Sequence, residues 1–196
     1  MSKKDNYRPR TQLVHEGQNR SPFGETSEAL YLTSGFVYDS AEQAEARFRE
    51  EDNGYIYSRF GNPTVRMFEE RMMALEGAED ARATATGMAA VTAAMLSLLQ
   101  AGDHVVAARA LFGSCRYIVE TLLPRYGIET TLVDGRDIEA WEHAMRPTTK
   151  VLFLETPSNP VLEIIDMAAV ADIAHTHGAR LVVCLLYTSP SPRDRG

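Results

Sequence analysis

From Thr64 onward the hydrophobic positions recur with a regular period. Val65, Phe68, Met72 and Leu75 fall at the spacing of one helical face, and Gly77 stands where such a helix would stop. Short apolar runs then alternate with helical patterns. The order is strand 81–85, helix 88–100, strand 104–108, helix 114–123, strand 128–133, helix 137–145, strand 150–155, helix 166–177 and strand 180–183. Gly102, Gly127 and Gly178 punctuate helix ends. Strands alternating with helices predict an α/β layer fold with a largely parallel sheet, flanked by helices. Ligands of such folds bind at the carboxyl ends of the strands.

Upstream of Thr64 the period is weaker. Residues 1–28 are polar, carry Pro9, Pro22 and two glycines, show no sustained period, and read as an arm. An apolar patch from Ala29 to Tyr38 leads into an expected helix from Ser40 to Arg49, with Ser40 as its N-cap.

Composition narrows the class. The 196 residues suffice for one substantial core, and 44% hydrophobic with 24% charged residues is ordinary for a soluble globular chain. A net charge of -7 argues against nucleic acid as a partner. The basic residues Lys3, Lys4, Arg8 and Arg10 read as a solvated arm. Two cysteines, Cys115 and Cys184, make no disulfide framework, which points to a reducing compartment. No apolar run reaches the roughly 18 residues of a membrane-spanning helix, and the start of the chain lacks a signal-peptide core. A cytoplasmic protein without membrane partners is the expectation.

Several candidate binding residues lie in loops at the expected ligand edge. Thr86-Gly87-Met88 opens a helix, whose first amides lack intrahelical partners and attract anions; a plain helix cap is the alternative. Tyr57 and Arg59 precede another helix. Arg can hold two phosphate oxygens in a planar fork and Tyr adds a hydroxyl donor, although a surface Arg beside a packed Tyr is common. Phe112 follows the strand 104–108 and offers a ring for stacking, or else for core packing. In Glu155-Thr156-Pro157-Ser158-Asn159-Pro160 the polar side chains sit between prolines, in either a ligand-contacting loop or a self-satisfied turn.

YSRFGNPT with ALEGAE, ATATGMAA, LFGS and ETPSNP occur in this order. Together they resemble the γ-family of pyridoxal-phosphate enzymes that act on methionine and cysteine precursors. The resemblance covers roughly residues 11–183. It implies the N-terminal part of a fold-type I transferase, with residues 1–54 as arm and linker and 55–183 as a partial cofactor-binding large domain. It also implies pyridoxal 5'-phosphate as cofactor. Tyr57 and Arg59 would bind its phosphate across a subunit boundary, and Thr86, Gly87 and Met88 would bind the phosphate as well. Phe112 would stack on the ring. Asn159 would contact the phenolic oxygen or the substrate carboxylate. No metal is implied.

Phe112, where many relatives carry Tyr, and the opening VHEGQNRSPFGETSEAL point within the family to replacement of succinate by sulfide on O-succinyl-L-homoserine, giving L-homocysteine for methionine biosynthesis. Use of the acetyl ester, cystathionine synthesis and γ-elimination remain open. So does a non-catalytic phosphate-binding fragment. A homo-oligomer, a homotetramer by family, is implied for the full-length enzyme.

The resemblance also requires an Asp after ARLVV, to pair with the pyridine nitrogen, and later a Schiff-base Lys. Cys184 stands at the Asp position, and Lys3, Lys4 and Lys150 all lack the expected context. No catalytic lysine is therefore assigned, and Lys150 is read as solvated. CLLYTSPSPRD resembles a translated sequencing adapter, so residues 184–196 are expected to be a non-native tail. The literal chain is expected to aggregate and to be inactive.

Overall fold

A computed structural model describes residues 7–185. Lys3, Lys4 and most of the presumed tail lie outside the described residues. The chain forms two compact units, Met1–Ala83 and Thr84–Gly196.

The first unit holds three helices, α1 (Pro9–His15), α2 (Ala41–Phe48) and α3 (Pro63–Glu76). The Ser40 side chain caps α2, accepting from the Gln43 amide, as its sequence position predicts. Helix α3 starts at the Asn62 cap and stops at Gly77, whose φ of 62° is the left-handed conformation of a helix end. Helix α1 lies within the segment read as an arm without sustained period. Pro9 occupies its first turn, where a missing N–H costs nothing, but seven residues are too few to show a period.

The strand expected over 81–85 does not form. The Ala81 and Ala83 amides donate instead to carboxylates, Asp80 Oδ1 at 2.9 Å and Glu69 Oε1 at 2.8 Å. These side chains satisfy amides that a ladder would otherwise need, and a short apolar run cannot reveal that competition.

The second unit is a parallel sheet in the order β2-β1-β3-β4, built from β1 (His104–Ala108), β2 (Glu129–Val133), β3 (Thr149–Glu155) and β4 (Arg180–Cys184). Alternate residues of the central strands face opposite sides. Val105, Ala107, Val151 and Phe153 pack with α4 (Gly87–Leu98), α5 (Gly113–Tyr117) and α6 (Leu123–Arg125). Val106, Ala108, Leu152 and Leu154 pack with α7 (Ile138–His143) and α8 (Met167–Thr176). Burial on both faces explains why β1 and β3 read as unbroken apolar runs. The helix expected over 114–123 contains a π-helical turn, Ile118–Leu122, between α5 and α6. Pro124 has no N–H to return to Glu120, so the ladder shifts ahead of it. Lys150 is exposed near the amino end of β3, as expected.

This order creates a topological switch point. The chain leaves β1 through α5 on one face toward β2, and leaves β3 through α8 on the other face toward β4. The carboxyl ends of β1 and β3 therefore flank a crevice, the place where open α/β sheets bind ligands.

Candidate functional site

The loops beyond β1 and β3 carry Phe112 and Asn159. Phe112 is the N-cap residue of α5, and its ring is 43% exposed, which separates it from the core. In the β3 loop, Thr156 and Ser158 are buried and their hydroxyls are committed locally. Thr156 Oγ1 accepts from Ile165 N at 3.1 Å, and Ser158 Oγ accepts from Glu163 N at 3.0 Å. The loop is thus partly a self-satisfied turn, yet the Asn159 side chain has no partner among the described residues.

Helix α4 links by a short connection to the amino end of β1, so its own N-terminus lies toward the carboxyl edge. Thr86 is its cap: the hydroxyl accepts from Ala89 N at 3.1 Å, and the Thr86 carbonyl accepts from Ala90 N at 3.1 Å. The amides of Gly87 and Met88 have no partner among the described residues. A Cβ at Gly87 would meet nothing within 4 Å, so the space on that side of the residue is open. Two unpaired amides at a helix N-terminus, reinforced by the helix dipole, suit a phosphate group. The second unit thus brings Thr86, Gly87, Met88, Phe112 and Asn159 to its carboxyl edge, and this donor set fits pyridoxal phosphate.

Tyr57 and Arg59 belong to the first unit. Tyr57 bridges to Gly35 in an antiparallel pair, and Ser58 N donates to Ser34 O at 2.9 Å. The Ser58 hydroxyl donates to Thr33 O. Asn62 works in two directions: Nδ2 donates to Tyr31 O at 2.9 Å and Oδ1 accepts from Thr64 N at 2.8 Å. The Arg59 guanidinium lies 5.2 Å from the ring centroids of both Tyr57 and Phe60. Stacking on two rings holds the cation while its N–H edge stays exposed.

Two charged residues, the half-buried Arg47 and the buried Glu155, carry no role readable from the sequence. Arg47 donates to Tyr55 O at 3.0 Å and to Val37 O at 3.4 Å, stacks over Tyr38, and leaves Nε buried without a hydrogen bond. A Cβ at Gly54 would collide with that Nε, so the glycine makes room for the arginine. Glu155, 2% exposed, ends β3. A carboxylate closing the otherwise apolar VLFLE was the available signal for it. Cys115 is buried, and the hydrogen bond its thiol donates to the half-buried Cys184, together with burial, pushes that thiol far above the usual range, so it is inert as a nucleophile.

Among the described residues no helix is long and apolar enough to cross a membrane, and no group of side chains could hold a metal ion.

Comparison with known proteins shows the family. The family model described as Cys/Met metabolism PLP-dependent enzyme matches residues 10–192. An O-succinylhomoserine sulfhydrylase of Mycobacterium tuberculosis is 51% identical over 177 residues, covering 90% of this chain and 44% of that protein. An L-methionine gamma-lyase of Porphyromonas gingivalis is 44% identical over 181 residues, covering 92% and 45%. Among solved structures, an O-acetylhomoserine (thiol)-lyase from Campylobacter jejuni carrying N'-pyridoxyl-lysine-5'-monophosphate superposes with a TM-score of 0.87. It is 29% identical and covers 91% of this chain and 44% of its own. The chain therefore spans less than half the length of these relatives.

Proposed function

Since the chain belongs to the Cys/Met-metabolism family of pyridoxal-phosphate-dependent enzymes, we propose that it is part of an enzyme that replaces succinate with sulfide on O-succinyl-L-homoserine, yielding L-homocysteine. The observation that carries this reading is the exposed Phe112 ring at the β1–β3 crevice, in a chain 51% identical to a protein named for that reaction. The cofactor supplies an electron sink for loss of protons next to the amino group.

The chain's own residues bind and orient. The Gly87 and Met88 amides receive the phosphate, and Thr86 can add its hydroxyl proton. Phe112 stacks on the ring. Asn159 donates through its side-chain amide to the phenolic oxygen or the substrate carboxylate. Tyr57 and Arg59 complete the phosphate grip of a neighbouring subunit, which makes the enzyme a homo-oligomer acting on small molecules in the cytoplasm. Exposed apolar side chains in the first unit, Phe23, Leu32 and Val37, support burial against a partner copy.

The second reading is γ-elimination, because an L-methionine gamma-lyase is also a relative. Phe112 favours replacement, since it offers no phenolic proton for acid–base work. The test is to express the complete reading frame at the source locus and supply O-succinyl-L-homoserine with sulfide. Homocysteine and succinate in equal amounts are expected. Keto acid and ammonia as the main products would overturn replacement, and absence of bound pyridoxal phosphate would overturn the whole reading.

A further inference from the structure

The Glu155 carboxylate is buried at the carboxyl end of β3, in the crevice between β1 and β3. A buried carboxylate is costly unless its oxygens are satisfied. No Lys, Arg or His forms an ion pair with it among the described residues. Two backbone amides satisfy it instead. Oε2 accepts from Phe112 N at 2.6 Å, and Oε1 accepts from Asn159 N at 3.1 Å. Each oxygen holds one loop, and the two loops leave the sheet toward opposite faces. They carry the two residues placed here against the cofactor ring and its phenolic edge.

We propose that Glu155 is a positioning residue whose carboxylate ties the Phe112 loop to the Asn159 loop and so sets the width of the cofactor crevice. This rests on the pyridoxal-phosphate reading. The geometry needs two acceptors on one planar group, at the reach of a Glu side chain. Gln has the same shape but one acceptor, and its NH2 would confront an amide N–H. Asp keeps both oxygens but is one methylene too short to span the loops.

The test compares Glu155→Gln and Glu155→Asp with the wild-type full-length protein. Three quantities are read: pyridoxal-phosphate affinity by equilibrium dialysis, visible circular dichroism of the bound cofactor, and hydrogen exchange at the Phe112 and Asn159 amides. In both variants affinity is expected to fall about tenfold, the effect of losing one charge-assisted hydrogen bond. The dichroic band should change shape and both amides should exchange faster. A lower melting temperature with unchanged affinity and dichroism would overturn the proposal, because a merely structural role predicts that pattern. If the wild-type protein binds no pyridoxal phosphate, the cofactor reading fails. The exchange rates at residues 112 and 159 then still decide the bridge: faster exchange supports it and unchanged exchange overturns it.

Discussion

Residues 18–61 and the sheet of the second unit both hold functional atoms in place, but they use opposite means. Across 18–61 no residue is buried. Position is held there by side chains that reach backbone carbonyls distant in sequence: Asn62 to Tyr31, Ser58 to Thr33, and Arg47 to Val37 and Tyr55. In the second unit Phe112 and Asn159 hang from strands whose side chains, Lys150 apart, are enclosed on both faces. A polar scaffold tolerates solvent but depends on individual hydrogen bonds. A packed one spreads its energy over many contacts and fails by cavity formation.

The largest effect should come from opening the packed side. Phe153→Ala removes a fully buried ring and is expected to cost about 3–5 kcal/mol, read as a fall in the denaturation midpoint. A loss under about 1 kcal/mol would show that the sheet is held otherwise.

On the polar side, Arg47→Ala removes two hydrogen bonds and the stack on Tyr38, with an expected loss of about 1–3 kcal/mol. Hydrogen exchange should rise locally at residues 54–58 and stay unchanged in β1 and β3. Global acceleration would erase the contrast between the two regions.

Thr86→Ala deletes a helix cap at a cost of about 1 kcal/mol. Under the cofactor reading it should also weaken phosphate retention, whereas Ser in its place should restore both. Thermal melts with and without pyridoxal phosphate separate the two contributions.

The smallest effect concerns pH. His104 is enclosed, with Nδ1 2.8 Å from Thr149 Oγ1 and Nε2 2.9 Å from Thr131 Oγ1. Burial, with a smaller contribution from Arg146, lowers its pKa below the ordinary value, although Glu129 opposes the shift. The unfolded chain therefore takes up a proton near pH 6.5 that the folded one resists. Stability from this group is complete above that pH and declines as the pH falls toward the folded pKa. The melting temperature should drop more steeply between pH 7 and 5 than in His104→Gln. Parallel slopes would remove His104 from the account.

Several elements were legible because their causes are local. Ser40, Thr86 and Gly77 act at the helix ends where their residue types place them, and the strands from 104 onward formed near their expected bounds. No strand forms over 81–85, because carboxylates from Glu69 and Asp80 satisfy amides of that segment. The role of Arg47 is not legible in the sequence because a charged residue on a short helix usually faces water. Glu155 carried a signal, a charge ending an apolar run, but its two acceptor bonds come from residues 43 positions before it and 4 after it.

By itself, then, the sequence determined the alternation of strands and helices, their caps, and the ordered motifs that mark the family. Those depend on side-chain period, backbone propensity and short-range hydrogen bonding, all of which act within a few residues. Only the tertiary structure decided that β1 and β3 lie side by side with their connections diverging, that Phe112 stays out of the core, and that Glu155 spans the crevice. Strand order and the partner of a buried charge follow from packing and from satisfying polar groups across the whole unit, and a local sequence period does not encode either.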